Sequence, residues 1–350
     1  LQGRHGLYFA LPTAATSNQM YQRMKAMFAQ IHREGPRLMH GMAWLSLLAP
    51  ISYMKDEEEG PERADWLQPM RRAMLAENGV GTVDQAMMAA LQIRYGSLRM
   101  LGLLGKVLLI DEVHAYDAYM YSILEKLLEW CRVLHIPVVM LSATLTEEKR
   151  IALMKSAGAK ACEAEQAYPL ITQVRDGEVR QVAVSGTAQC GCYLFEPVFI
   201  WDDPQRLADR ALSKVDAGGC LCVMMNTVDD AQRVFKAIVE RQSDTQVLLF
   251  HARMMAMHRN AVEKQCVDLF GKGAQERPAK AILVCTQVVE QSMDLDFDGM
   301  ITCIAPMDLL LQRAGRVHRH ARTERPQKMA QPLIEVLVPG AAHEDAYGAS

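Results

Sequence analysis

The sequence predicts an α/β protein built as two tandem parallel-sheet lobes, and three observations carry that expectation. Short apolar runs ending in polar or small residues alternate with stretches of helical periodicity, the pattern of a parallel sheet covered by helices on both faces. The length, 350 residues of which 50% are hydrophobic, suits two units at roughly 100–200 residues per domain. The pattern is also laid down twice, on either side of a stretch between Cys162 and Pro197 where periodicity fades and Gly177, Gly186, Gly191 and Pro197 punctuate the chain. The expected division is a first lobe over 1–165, a linker over 166–196, a second lobe over 197–340 and a tail over 341–350.

Taken in order, Gly6–Leu11 reads as a strand. It leads into a helix whose Met20, Met24, Met27, Phe28 and Ile31 recur at three-to-four-residue spacing and are expected in the core. Lys55–Asp65 is charged and holds Gly60 and Pro61, the composition of an exposed loop. Lys106–Ile110 and Pro137–Leu141 are β-rich runs, separated by a helix with Tyr121, Leu124, Leu128 and Cys131 on one apolar face. In the second lobe, Leu221–Met225, Thr245–Phe250, Ala281–Cys285 and Met300–Ile304 read as strands. Ala231, Val234, Phe235 and Ile238 form the apolar stripe of one intervening helix. No short-period repeat or low-complexity segment interrupts the design.

Composition excludes some classes. The longest apolar stretches, such as Leu98–Ile110, are broken by Arg99, Lys106 and glycine, well short of the roughly 20 residues that span a bilayer, so no membrane is expected as a partner. The chain starts at Leu1 without an export signal and reads as an internal cut. Nine cysteines form an odd set, with Cys222, Cys285 and Cys303 inside apolar runs, which fits reduced thiols in a cytoplasmic protein. Cys190, Cys192, Cys220 and Cys222 do not make a zinc site, because Cys222 lies within a strand and the two-residue knuckle spacing is missing. A formal charge of −3 gives no basic excess, so nucleic-acid binding has to be argued from motifs.

Ligands of an open parallel sheet gather at the carboxyl ends of its strands. The run ending at Ile110 delivers Asp111, Glu112 and His114 there. Such a strand end suits a nucleoside triphosphatase, with Asp111 holding Mg2+ and Glu112 orienting or deprotonating the attacking water. His114 would link the site to the other lobe. The next strand end carries Ser142 and Thr144, whose hydroxyls are expected to bond to the carboxylate cluster and sense its nucleotide state. In Gln312-Arg313-Ala314-Gly315-Arg316-Val317-His318-Arg319-His320, Arg316 and Arg319 are three apart and are expected to share a helical face aimed at the γ-phosphate of ATP. An arginine so placed contributes about 10³–10⁵ in rate, roughly 4–7 kcal/mol. Gln312 and Asp294 are further candidates for the nucleotide, Asp294 on a ribose hydroxyl or on an arginine of that pair. Thr13, Thr16 and Asn18, then Gly81, Thr82, Asp84 and Gln85, then Asn226, Thr227 and Thr286 lie at strand ends or helix starts. Hydroxyls and backbone amides there suit the phosphates of a single strand.

The strings Leu11–Asn18, Val80–Ala86, Asp111–Asp117 and Gln312–His320 together resemble the CRISPR-associated helicase-nuclease family of type I systems, over nearly the whole chain. The resemblance implies two RecA-like lobes and a 3′-to-5′ single-stranded DNA translocase driven by ATP and Mg2+. It also implies recruitment by an RNA-guided surveillance complex to the displaced strand. Two departures follow. The sequence has no His-Asp dipeptide of the family's nuclease domain, so no nuclease activity is expected of it. It also has no Gly-x-x-x-x-Gly-Lys-[Ser/Thr] loop, since Gly105-Lys106 and Gly271-Lys272 lack the first glycine and the following hydroxyl. The expectation is a first lobe cut at its N-terminus, inactive alone and with one sheet edge exposed. Two alternatives stay open: a non-catalytic DNA-binding or docking subunit, and an RNA helicase of the Asp-Glu-x-His type.

Overall fold

The computed structural model describes residues 6–31, 33–40, 73–163, 165–185, 192–241, 244–272, 274, 277–290, 293–321 and 325–339. The expected loop Lys55–Asp65, Cys190 and the tail over 341–350 lie outside the described residues. Two compact units divide the chain, Leu1–Ala188 and Gln189–Ser350.

The first unit runs β1 (Gly6–Leu11), α1 (Ala14–Gln30), β2 (Arg37–Met39), β3 (Asn78–Thr82), α2 (Val83–Met87), α3 (Gly96–Leu103), β4 (Lys106–Ile110), α4 (Ala118–Val133), β5 (Val138–Met140) and α5 (Glu147–Ser156). Its five strands are parallel in the order β2-β3-β1-β4-β5. Side chains alternate across a strand, so β1 sends Tyr8 and Ala10 to one face and Phe9 and Leu11 to the other. The first face packs Leu108 and Ile110 of β4 against Val83 of α2 and Leu124, Leu127 and Leu128 of α4. The second face takes Met24 and Phe28 of α1. The expected α4 stripe of Tyr121, Leu124, Leu128 and Cys131 is buried throughout. The α1 stripe is narrower than expected: Met24 and Phe28 are buried on Phe9, Leu11 and Val80, Met20 is half-buried against them, and Met27 and Ile31 are exposed.

β2 and β3 lie outside the sequence expectation, because Asn78-Gly-Val-Gly-Thr is poor in the branched residues that signal a strand. Its glycines are needed for close approach: a Cβ on Gly81 would meet the Met39 carbonyl and the Tyr8 hydroxyl. At the other edge, among the described residues, β5 pairs with β4 alone, and Val139 and Leu141 are exposed.

The segment 166–196 is not a bare linker. It carries an antiparallel hairpin of β6 (Leu170–Arg175) and β7 (Glu178–Ala183), turned at Asp176-Gly177 with both residues at positive φ. It also holds the start of β8 (Leu194–Val198). Alternation in the burial of β6 marks a ribbon with one face covered, and a pattern so short and polar gives little periodicity to read.

The second unit continues with α6 (Pro204–Val215), β9 (Gly219–Met224), α7 (Val228–Val239), β10 (Gln246–Phe250), α8 (Ala256–Phe270), β11 (Lys280–Cys285), β12 (Gly299–Cys303), α9 (Met307–Ala314) and β13 (Leu333–Leu337). All six strands are parallel, in the order β10-β11-β9-β12-β13-β8. Cys220, Cys222 and Met224 of β9 face α8 and α9, while Leu221 and Val223 face α6 and α7. Strand order repeats between the units. The shared order covers five strands, β2-β3-β1-β4-β5 and β10-β11-β9-β12-β13, with β8 added at the edge of the second sheet, and the central strand (β1 or β9) marks the topological switch where ligands of a parallel sheet gather at the carboxyl ends.

Candidate functional site

In the first unit, β4 is followed by Asp111, whose backbone N–H still pairs with Ala10 O at 3.0 Å. The chain then leaves the sheet sharply, because Glu112 adopts the left-handed conformation at φ 54°, ψ 43°, a rare state for a non-glycine residue. The turn is held by its surroundings. Val113 N–H donates to Leu141 O at 3.1 Å, Glu112 N–H to Asp111 Oδ1 at 3.0 Å, and the Tyr116 and Tyr121 hydroxyls to the Asp111 and Val113 carbonyls at 3.0 Å each. Burial pushes the Asp111 carboxyl above its ordinary range, partly offset by the Glu112 amide and by His114.

His114 is buried beneath this turn. Its Nε2 lies 3.2 Å from Glu112 Oε2 and its Nδ1 3.0 Å from Ser142 Oγ. Nε2 faces the Glu112 carboxylate within ion-pair range, and the Ser142 hydroxyl donates to or accepts from Nδ1 according to the ring tautomer. Adjacent parallel strands β4 and β5 thereby present one chain of contacts, Glu112–His114–Ser142. The expectation that both hydroxyls reach the carboxylates is corrected: Ser142 meets Glu112 only through the imidazole. Thr144 Oγ1 is buried with no hydrogen-bond partner among the described residues.

The polar residues near β1 and β3 are engaged locally. Thr13 caps α1 in a reciprocal box with Thr16: Thr16 N–H donates to Thr13 Oγ1 at 3.2 Å and Thr13 N–H to Thr16 Oγ1 at 3.1 Å. Asn18 Oδ1 lies 2.8 Å from Nε2 of buried His40. Thr82 and Gln85 are buried, with Gln85 Oε1 accepting from Arg99 Nη1 at 2.8 Å. Thr16, Thr82 and Gln85 therefore do not present free side chains to a strand of nucleic acid, whereas Asp84 is exposed. Helix caps and strand-end contacts draw on the same residue types, and only burial separates them.

In the second unit, the arginine string departs from its expected form. α9 stops at Ala314 with Gly315 as its cap, so Arg316 and Arg319 follow the helix instead of sharing a face of it. The chain there pairs with the 294–298 segment through a Phe297–Val317 bridge, and His318 turns into the left-handed region at φ 52°. The two guanidiniums part company. Arg316 donates to the Met293 carbonyl and, at 2.7 Å, to Glu290 O. Arg319 Nε donates to Asp294 Oδ1 at 2.6 Å, where His320 Nε2 also sits at 3.0 Å. Of the two partners considered for Asp294, the structure shows the arginine. Gln312 is half-buried on α9.

The buried partner in this string is Arg313, to which the sequence assigns no role. It is fully buried, with Nε on Glu290 Oε1 at 2.6 Å and Nη1 on Thr302 Oγ1 at 2.7 Å and Cys303 O at 2.8 Å, and Nη2 3.5 Å from Asn226 Oδ1. One guanidinium thus joins α9 to three strand ends. Burial pushes the Glu290 carboxyl up, with Arg313 pulling against it. Asn226 Nδ2 donates to Ile304 O at 3.0 Å, and its own carbonyl accepts from Gln287 Nε2 at 3.0 Å. Thr227 is exposed and caps α7 through Asp230 N–H at 3.1 Å. Thr286 is buried.

Residues 217–322 match the family model described as CRISPR-associated nuclease/helicase Cas3, C-terminal. The CRISPR-associated endonuclease/helicase Cas3 of Thermus thermophilus is 35% identical, across 96% of this chain and 42% of that protein. The crystal structure of T. fusca Cas3 with AMPPNP superposes with a TM-score of 0.84 at 35% identity, covering 97% of this chain and 41% of the other. A chain of a CRISPR RNA-guided surveillance complex described as pre-nicking superposes at 0.69 and 30% identity, covering 97% and 43%. The chain spans about two fifths of the length of these relatives. Two parallel-sheet units with one strand order, an Asp-Glu-x-His turn in the first and an arginine string in the second, and similarity that runs end to end place this chain with the helicase portion of the Cas3 nuclease/helicase family.

Proposed function

We propose that the chain is the motor of a Cas3-type protein: an ATP-dependent translocase on single-stranded DNA, brought to the displaced strand by an RNA-guided type I CRISPR surveillance complex. The observation that carries this reading is the Glu112–His114–Ser142 chain of contacts at the carboxyl ends of β4 and β5, beside Asp111. It puts a carboxylate on a fixed turn at the switch point of a parallel sheet, beside an imidazole that also contacts the next strand. Similar proteins supply the rest of the support. The T. fusca relative is described with AMPPNP, and another with the surveillance complex.

Asp111 fits a divalent cation. It is half-buried, its charge is disfavoured by burial, and it makes no ion pair with Lys or Arg among the described residues. Bound there, Mg2+ would neutralise charge on the β- and γ-phosphates of ATP. Glu112 takes the proton of the attacking water, and His114 holds Glu112 in place and passes its position to Ser142. Arg316 and Arg319 act on charge developing at the γ-phosphate, for which Arg319 has to exchange Asp294 for the nucleotide. Of the residues expected at the DNA, Asp84 and Thr227 are exposed and Thr13, Asn18 and Asn226 half-buried, which leaves these five able to meet it.

The test uses the full-length protein that contains this chain, since the proposal needs a phosphate loop. ATP hydrolysis is expected to rise with single-stranded DNA and less with RNA. Glu112→Gln is expected to lower kcat by about 10²–10⁴ with nucleotide affinity retained. Turnover that survives this substitution overturns the assignment, and a preference for RNA overturns the choice of DNA.

A further inference from the structure

The segment Arg316–His320 carries both arginines of the proposed reaction, yet it lies outside α9 and outside every strand. Its position is set by a second row of contacts. Phe297 N–H donates to Arg316 O at 2.9 Å, His318 N–H to Phe297 O at 3.0 Å, and His320 N–H to Asp296 Oδ1 at 3.3 Å. His318, at φ 52°, directs Nε2 at two carbonyls, Asp298 O at 3.1 Å and Met329 O at 3.0 Å.

Beneath this row lie two carboxylates, Asp296 at 0% and Asp298 at 3% exposure. Each meets the same two guanidiniums. Arg325 places Nη1 on Asp298 Oδ1 at 2.6 Å and Nη2 on Asp296 Oδ1 at 3.0 Å, and Nη2 also donates to His320 O at 2.9 Å. Arg277 places Nη2 on Asp298 Oδ2 at 2.9 Å and Nη1 on Asp296 O at 2.7 Å. Asp298 Oδ2 accepts in addition from Cys220 N–H at 2.8 Å, at the head of β9. The cluster is balanced in charge and forked at both arginines, so it clamps the arginine segment to the central strand of the sheet.

Stability is a poor reason for such a cluster. Buried ion pairs gain little over well-packed apolar groups of the same volume, because desolvation cancels most of their attraction. What forked pairs supply is direction. We propose that Arg325 and Arg277, acting through Asp296 and Asp298, are positioning residues for hydrolysis: they set the point from which Arg316 and Arg319 reach the γ-phosphate. The inference rests on the proposed function and adds two residues that no motif in the sequence marks.

The test is ATP hydrolysis by the full-length protein with saturating single-stranded DNA. Arg325→Lys keeps the charge balance but loses the fork, so the fold should survive. It is expected to lower kcat about 10- to 100-fold, the cost of a displacement of about 1 Å at a reacting group. Affinities for AMPPNP and for the DNA are expected to stay within about twofold. In an Arg316→Ala/Arg319→Ala background, Arg325→Lys is expected to cost less than about threefold further, because it acts only through those two groups. Full kcat in Arg325→Lys, or a loss that multiplies in the combined variant, would sink the positioning role. Asp298→Asn is a second probe with the same expected split, and unchanged kcat there counts equally against it. Loss of activity in Glu112→Gln alongside a fully active Arg325→Lys defeats only this inference, whereas activity in Glu112→Gln defeats the proposed function as well.

Discussion

Arg313 shows how much a single side chain can carry. Its guanidinium lies against a glutamate, a threonine, a backbone carbonyl and, more distantly, an asparagine, drawn from after β9, after β11 and from β12. Removing one partner of a buried pair leaves the other charge unpaired, a cost of about 3–5 kcal/mol. Arg313→Met is therefore expected to lower the unfolding free energy of the second unit by about that amount, and adding Glu290→Gln should recover part of it. Urea denaturation of the three variants measures both. His114 works on the same principle in the first unit, where one ring satisfies Glu112 and Ser142 at once. Ser142→Ala removes one contact at an exposed hydroxyl, so stability should change by less than about 1.5 kcal/mol, whereas the stimulation of ATP hydrolysis by DNA should fall. Stimulation equal to that of the unaltered protein would count against a link through this residue.

Elements behave as their periodicity says only where a partner surface is wide enough. α4 buries each residue of its expected stripe because both α2 and the sheet face it. α1 covers a narrower face, and Met27 and Ile31 are left in solvent although the spacing marks them as core. Phe28→Ala is thus expected to destabilise the first unit by about 3–5 kcal/mol, and Met27→Gln by less than about 0.5 kcal/mol. Equal effects in thermal unfolding would contradict the packing described. β4 has its own anchor at the opposite end from the site. Lys106 is buried with Nζ 2.5 Å from both Met74 O and Ala76 O, and burial pushes its ammonium down to about 8. Lys106→Met would leave those carbonyls without this donor, at about 1–3 kcal/mol each, a loss visible in the same unfolding measurement. The end of α9 is an element-level surprise of the opposite kind: helical spacing of Arg316 and Arg319 is present in the sequence, but pairing with Phe297 ends the helix first.

At the scale of the molecule, each unit carries its own part of the proposed chemistry, the acids Asp111 and Glu112 in the first and the guanidiniums Arg316 and Arg319 in the second. Groups that serve one chemical event are not additive. Glu112→Gln combined with Arg316→Ala should therefore reduce kcat little further than the more severe single change, and a multiplied loss would show that the two act in separate steps. The class of fold, most of the parallel strands and the positions of the strand-end residues were legible in residue order, because a buried strand is a short apolar run and its carboxyl end is simply the next residue. The hairpin over 170–183, the glycine-rich β3 and the fate of each polar side chain were not. Whether Thr16 caps a helix or meets a phosphate, and whether Arg313 is a surface charge or the centre of a network, depends on partners far along the chain. Asn226 lies 87 residues from Arg313, and Cys220 78 residues from Asp298. Local pattern records the period of burial, but hydrogen-bond pairing and desolvation at such separations arise only when the strands are laid side by side.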